Sequence, residues 1–91
     1  MKNILVNGVN YKVLKDEKDA IDITTLTEKI TDYYDSFDYI VGDWAYGKLR
    51  LKGFYDDKNK KSKKINQISK KEEYIKQNCA YQCKYFILKK I

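Results

Sequence analysis

The sequence predicts an α+β fold: a mainly antiparallel sheet of about five strands with two helices, in the order ββ-α-ββ-α-β. Three observations lead there. Apolar residues alternate with polar ones on either side of Gly42-Asp-Trp-Ala-Tyr-Gly47, the period of half-buried strands. Ile23, Leu26, Thr27, Ile30, Tyr33 and Phe37 recur at helical spacing. Both ends of the chain read as strands, the first with a turn signal in its middle.

That first segment is Ile4-Leu-Val-Asn-Gly-Val-Asn-Tyr-Lys-Val-Leu14. Asn7-Gly8 is the preferred pair for a two-residue hairpin turn, because both central residues need positive φ. Lys15 to Asp19 then reads as a polar connection. The helix that follows has two candidate caps, Asp22 and a Thr25/Glu28 capping box. Its acidic residues Asp22, Glu28, Asp32 and Asp35 mostly leave the apolar stripe.

The central hairpin places Phe37, Tyr39 and Val41 on one face of its first strand. In the second, Leu49, Leu51 and Tyr55 share a face, and Lys48, Arg50, Lys52 and Phe54 share the other. The pattern predicts one buried and one basic, solvated side. Asp56 to Lys64 contains no apolar residue and reads as a mobile, solvated loop. Ser69-Lys-Lys-Glu72 offers a capping box for a second helix reaching about Asn78, anchored by Tyr74 and Ile75. Cys79 to Cys83 forms a turn, and Lys84 to Lys89 closes the domain as a strand rich in β-formers. Setting the first strand aside, the order matches a split, ferredoxin-like arrangement with both helices on one face.

Ninety-one residues make one domain, residues 1–91. There is no His, which removes the commonest general base and a common zinc ligand. Two cysteines cannot close a four-ligand metal site, and Cys79-x-x-x-Cys83 is not the spacing of a thiol oxidoreductase. They read as small buried hydrophobes. No nucleophile–base pair, metal set or phosphate loop is present, so the expectation is a non-enzyme without cofactor or metal. No apolar run has membrane-spanning length and no leader precedes the domain, which implies a cytoplasmic protein.

The net charge is +6, with 18 of 19 basic residues being Lys, a bias that AT-rich coding alone produces. Its distribution says more. Residues 1–57 hold eight basic and eleven acidic side chains, net −3, whereas residues 58–91 hold eleven basic and two acidic ones, net +9. Such polarity orients a protein toward a polyanion.

Tyr39-Ile-Val-Gly-Asp-Trp-Ala-Tyr-Gly-Lys-Leu-Arg-Leu-Lys-Gly-Phe54, followed by a short helix and Cys79-x-x-x-Cys83-x-Tyr-Phe86, resembles the YutD-like family of small proteins from low-GC Gram-positive bacteria and their wall-less relatives. The matching blocks are Phe37–Phe54 and Tyr74–Leu88. The resemblance implies an α+β domain in a cytoplasmic protein, and no established activity comes with it. The C-terminal extension common in that family is not matched before Ile91.

Two binding readings compete. In the first, Lys48, Arg50 and Lys52 contact phosphates while Phe54 stacks on a base. The run Lys58, Lys60, Lys61, Lys63 and Lys64 extends that surface toward RNA or an RNA-containing machine such as the ribosome. The ordinary alternative is the solvent side of an antiparallel strand. Lys52-Gly-Phe-Tyr55 resembles the opening of an RNA-recognition motif but departs from it at Asp56. In the second reading Asp43, Trp44 and Tyr46 form an aromatic loop that anchors a protein partner. Against it, Trp44 would fold back onto the core and Asp43 would pair across the hairpin with Arg50 or Lys48. The continuity of the basic hairpin with the lysine run favours RNA.

Overall fold

Strands β1 (Asn3–Val6), β2 (Val9–Glu17), β3 (Tyr39–Ala45), β4 (Lys48–Phe54) and β5 (Tyr85–Lys90) form one sheet in the order β1-β2-β5-β3-β4. The computed structural model describes residues 2–60, 67–78 and 84–91. The Cys79–Cys83 turn and Lys61, Lys63 and Lys64 lie outside them. All four strand pairings are antiparallel. The helices are α1 (Ile23–Lys29) and α2 (Lys71–Asn78), so the expected α+β class and element order hold.

Asn7 and Gly8 adopt φ of 50° and 80°, the backbone a two-residue hairpin requires. β2 runs further than expected. Lys15, Asp16 and Glu17 pair with Ile87, Phe86 and Tyr85, after a register shift between Val13 and Lys15 that leaves Leu14 as the extra residue. The bulge puts Leu14 on the surface and carries the charged segment into the ladder, where a polar connection was expected. Lys18 and Asp19, both at positive φ, then turn the chain, and Asp16 accepts the Ala20 N–H at 2.8 Å.

α1 is capped by Asp22, whose Oδ1 accepts the Thr25 N–H, not by the Thr25 box. It is shorter than the apolar spacing implies. Ile30 is already extended, and Asn7 Nδ2 donates to the Thr27 and Ile30 carbonyls at 3.0 and 2.7 Å. The next residues, Thr31-Asp-Tyr-Tyr-Asp-Ser36, are weak helix formers. They make only a 3-10 turn, Asp32–Tyr34. The helical spacing of Tyr33 and Phe37 is therefore coincidental.

The helices cover opposite faces of the sheet, which corrects the one-face arrangement. On one side Leu26 and Ile30 pack with Ile4, Val6, Tyr11, Ile40, Leu49, Phe86 and Leu88. On the other, Ile68, Tyr74 and Ile75 pack on Val41, Phe54 and Ile87. The cause is in the central strands. Ile40-Val41 and Phe86-Ile87-Leu88 are buried at consecutive positions, so neighbouring side chains need cover on both sides. Two split β-α-β units interlock: β2 and β3 flank β5, while β4 and β5 flank β3. Gly42 permits the closest packing, because a Cβ there would come within 2.1 Å of the Phe86 ring.

Candidate interaction site

The β3–β4 hairpin turns over two residues only. Gly42 to Ala45 belong to β3, and Tyr46 and Gly47 make the turn with φ of 53° and 74°. The expected aromatic loop is thus mostly strand, and its three residues part company. Tyr46 is fully exposed. Trp44 lies against the α1-side core, where its indole N–H donates to the Ala20 carbonyl at 2.7 Å. Asp43, on the opposite face, is 3% exposed. Asp43 is enclosed by the fold, whereas Trp44 is partly buried and tied to the domain by its indole N–H.

Asp43 stands opposite Arg50 in the hairpin register. Its Oδ2 accepts from Arg50 Nε at 3.2 Å and from Nη2 at 2.5 Å, the cross-strand ion pair that sequence reading raised as an alternative. Oδ1 is buried with no hydrogen-bond partner among the described residues. Tyr74 of α2 feels this carboxylate: its phenol is held above the ordinary value by burial first and by the charge of Asp43 second. The pair raises the Arg50 pKa as well, chiefly through the hydrogen bond from its side chain.

Phe54 is completely buried. Its ring centre lies 5.8 Å from that of Tyr74. The base-stacking role assigned to it is therefore wrong: α2 occupies the face where a base would lie. Lys52 is half-buried, its ammonium 6.0 Å above the Phe54 ring centre. Lys48 stays exposed, and Arg50 is spent on Asp43 while remaining partly accessible. Lys58 and Lys60 are exposed beyond the far end of β4. A seven-residue strand separates its ends by roughly 20 Å at about 3.3 Å per residue, so the described cations are strung out along the edge.

The start of the lysine run is anchored, contrary to the mobile loop expected. Asp38 Oδ2 accepts the Asp56 N–H at 2.8 Å and Asn59 Nδ2 at 2.9 Å. Asp57 Oδ1 accepts the Ser69 N–H at 3.1 Å, and hydrogen bonds from Ser69 lower the Asp57 pKa. Ser69, expected to cap α2, thus lies in the 3-10 turn Ile68–Lys70 and holds this loop.

A second surface emerges where the sequence pointed to core. After α1 ends, Tyr33, Tyr34, Phe37 and Tyr55 form an aromatic row. Centroid separations are 5.0 Å for Tyr33–Tyr34, 5.6 Å for Tyr33–Phe37 and 4.8 Å for Phe37–Tyr55. Phe37 lies on Gly53, where a Cβ would come within 2.4 Å of its ring. Tyr34 packs against the core, and burial holds its phenol above the ordinary value. Tyr33, at the outer end, is 68% exposed. Asp32 and Asp35 in the same turn are exposed too. The signal available in the sequence was the density of Asp and Ser among these aromatics, which argues against a continuing helix.

Fold and surface define the class as a small antiparallel α+β sandwich with one helix on each face. Residues 5–89 match the family model described as "Putative antitoxin YutD-like", and the chain belongs to the YutD-like family. It is 41% identical over 88 residues to the protein named "Putative antitoxin YutD" of Bacillus subtilis strain 168, with 97% of each chain covered. The solution NMR structure of protein yutD from B. subtilis superposes with a TM-score of 0.81 at 40% identity, covering all of this chain and 83% of that one.

Proposed function

We propose that the chain is a non-enzymatic protein-binding module of the cytoplasm, neutralising or masking a partner protein as the name of its B. subtilis relative suggests. One observation carries this reading: the aromatic row on the surface ends in a Tyr33 that is 68% exposed. Tyrosines bury large area at modest entropic cost and are typical interface anchors. The RNA reading loses support because its stacking residue, Phe54, is buried and Arg50 is engaged by Asp43. Lys48, Lys58 and Lys60 remain exposed, so RNA is the competitor to test against.

The test is affinity capture from cytoplasm with and without nuclease, followed by mixing the domain with the purified partner on a sizing column. A stoichiometric complex that survives nuclease and forms from purified proteins supports protein binding. Complexes lost with nuclease, together with a steeply salt-dependent affinity for structured RNA, would overturn it in favour of RNA.

A further inference from the structure

We propose that the open side of β1 and β2, next to α2, docks an acidic amphipathic helix of a protein partner. The proposal rests on the protein-binding reading above and adds a second surface, on the opposite side of the sheet from the aromatic row.

α2 packs on Val41, Phe54 and Ile87, and so over β3, β4 and β5. β1 and β2 are covered from the α1 side, where Ile4, Val6 and Tyr11 are buried. Their other side meets solvent, as one side of an antiparallel sheet can. Asn3, Asn10 and Lys12 suit that side. Leu5 and Leu14 do not, being 61% and 37% exposed. Leu14 stands out because of the β2 bulge, a device that re-aims a side chain. Between it and α2 opens a groove of about 260 Å³, with Leu14, Ile75, Tyr85 and Ile87 as its apolar wall. Ile75 and Tyr85 are partly exposed, so the wall is accessible. Small-molecule sites run to roughly 300–1,000 Å³; this groove suits a protruding side chain.

Charge decides the occupant. Lys15 and Lys71 stand on the groove rim with Glu72, and Lys15 shares its charge with Glu17 at 3.4 Å. Lys12 lies directly opposite Lys89 in the β2–β5 ladder, and neither is ion-paired among the described residues. Like charges opposed in a ladder are destabilising. Carboxylates of a partner relieve that repulsion, while an apolar anchor beside them fills the groove. A phosphate backbone meets the lysines and leaves the groove empty. Geometry selects a helix. From Leu14 back to Asn10, which stands opposite Leu5, β2 runs roughly 13 Å at about 3.3 Å per residue. Residues seven or eight apart on one face of a helix are separated by roughly 10–12 Å. One helix beside α2 therefore reaches both leucines and completes the layer. A second copy of the chain is a poorer occupant. Its exposed acids Asp22, Glu28, Asp32 and Asp35 belong to α1 and the turn after it, on the far side of the sheet, so copies would join head to tail without closing.

The probe is a helix-forming peptide of about 18 residues, built of Glu and Ala with two Leu seven positions apart. It is titrated into the isotope-labelled full chain and followed by NMR. Control peptides replace both Leu by Ala, or every Glu by Lys. Because the chain carries +6, any acidic peptide is drawn to it, and the Leu-free peptide measures that background. The Leu peptide is expected to shift Leu5, Lys12, Leu14, Lys15 and Ile75, and to bind about fivefold tighter or more than the Leu-free one. The Lys peptide leaves these residues unmoved. Leu14→Asn is expected to weaken binding by about fivefold or more, and Leu14→Met to retain it. Lys12→Gln should weaken it about twofold or more without loss of stability, since it removes a repulsion. Unchanged spectra away from the groove verify the fold of each variant. Absence of shifts, equal binding by the Leu-free peptide or by Leu14→Asn, or shifts centred on Lys58 and Lys60 would overturn the proposal. So would the same residues shifting when the chain alone is concentrated, which would make the occupant a second copy, or tighter binding there of a short RNA or of anionic vesicles. A nuclease-resistant partner that binds Leu14→Asn as tightly as the native chain would also overturn it, leaving the protein-binding reading intact. That reading fails separately, through loss of the native complex on nuclease treatment.

Discussion

The two faces of the sheet are closed by different means. The α1 side has an extended apolar core, with Tyr11, Leu26, Ile40, Phe86 and Leu88 all nearly inaccessible. Among the described residues the α2 side buries Val41, Phe54 and Ile87 as a smaller cluster, and beside them sits the Asp43–Arg50 pair. The first face is what alternating apolar residues produce. The second shows that a strand face spelled Lys-x-Arg-x-Lys-x-Phe is covered when a short helix brings Tyr74 and Ile75 to its apolar end.

The sharpest way to break that contrast is truncation. Phe86→Ala on the α1 side is expected to cost about 3–5 kcal/mol, a large part of the roughly 5–15 kcal/mol stability of a domain. Phe54→Ala should fall in the same range. A loss below about 1 kcal/mol in urea unfolding would mean that the α2 side is solvated after all. Gly42→Ala comes next: its methyl group meets the Phe86 ring, and overpacking of this kind costs about 1–3 kcal/mol. Equal stability of the alanine variant would show that the ring has room to move.

A double-mutant cycle on Asp43 and Arg50 tests the polar half of the α2 side. Arg50→Ala should destabilise more than Asp43→Asn, because it strands a buried carboxylate, whereas Arg50 alone can turn to water. The reverse order would mean that the pair is not what holds Asp43 inside. It follows that Arg50→Ala with Lys52→Ala is a poor probe of RNA binding, since it perturbs folding too.

Alkaline pH should weaken both faces. The phenols of Tyr11 and Tyr34 on one side and Tyr74 on the other are raised from 10.0, each mainly by burial. The folded chain then binds more protons than the unfolded one, so the stabilisation is full below the unfolded pKa and is lost as pH climbs through the folded values. Melting temperatures should fall above pH ~10, with phenolate absorbance rising alongside. Flat melting temperatures through that window would contradict it. The smallest effect belongs to the hairpin tip. Tyr46 holds φ of 53°, which Asn tolerates better, so Tyr46→Asn should stabilise by a few tenths to about 1 kcal/mol. A loss of stability would reveal contacts that the fully exposed ring does not show.

Much of this fold was legible because local signals agreed with tertiary need. Asn7-Gly8 reads as a turn and is one; Asp43, for which the sequence left a cross-strand pair with Arg50 or Lys48 open as the alternative to a loop anchor, stands opposite Arg50 and pairs with it. What misled was periodicity without propensity. Tyr33 and Phe37 fall on the helical stripe, yet Asp and Ser around them end the helix, and the side chains placed in the core line a surface instead. Phe54 failed for the opposite reason. Its neighbours Lys48, Arg50 and Lys52 look solvated, and nothing within the strand announces that Tyr74, twenty positions away, covers its ring. The signal for two covered faces lay in β3 and β5, whose consecutive apolar residues leave no side for water.

The sheet order has a consequence for how the protein comes into being. β5 follows every other element along the chain, yet lies between β2 and β3. Before residue 90 leaves the ribosome, the nascent chain can hold two hairpins, β1–β2 and β3–β4, with no strand to join them. Domains assemble as units during synthesis, and this one cannot assemble early. Its helices have no finished sheet to rest on until translation has passed the central strand. A truncated product, or a stalled one, is therefore inert by construction: whatever the finished surface binds, an incomplete chain has no such surface to offer.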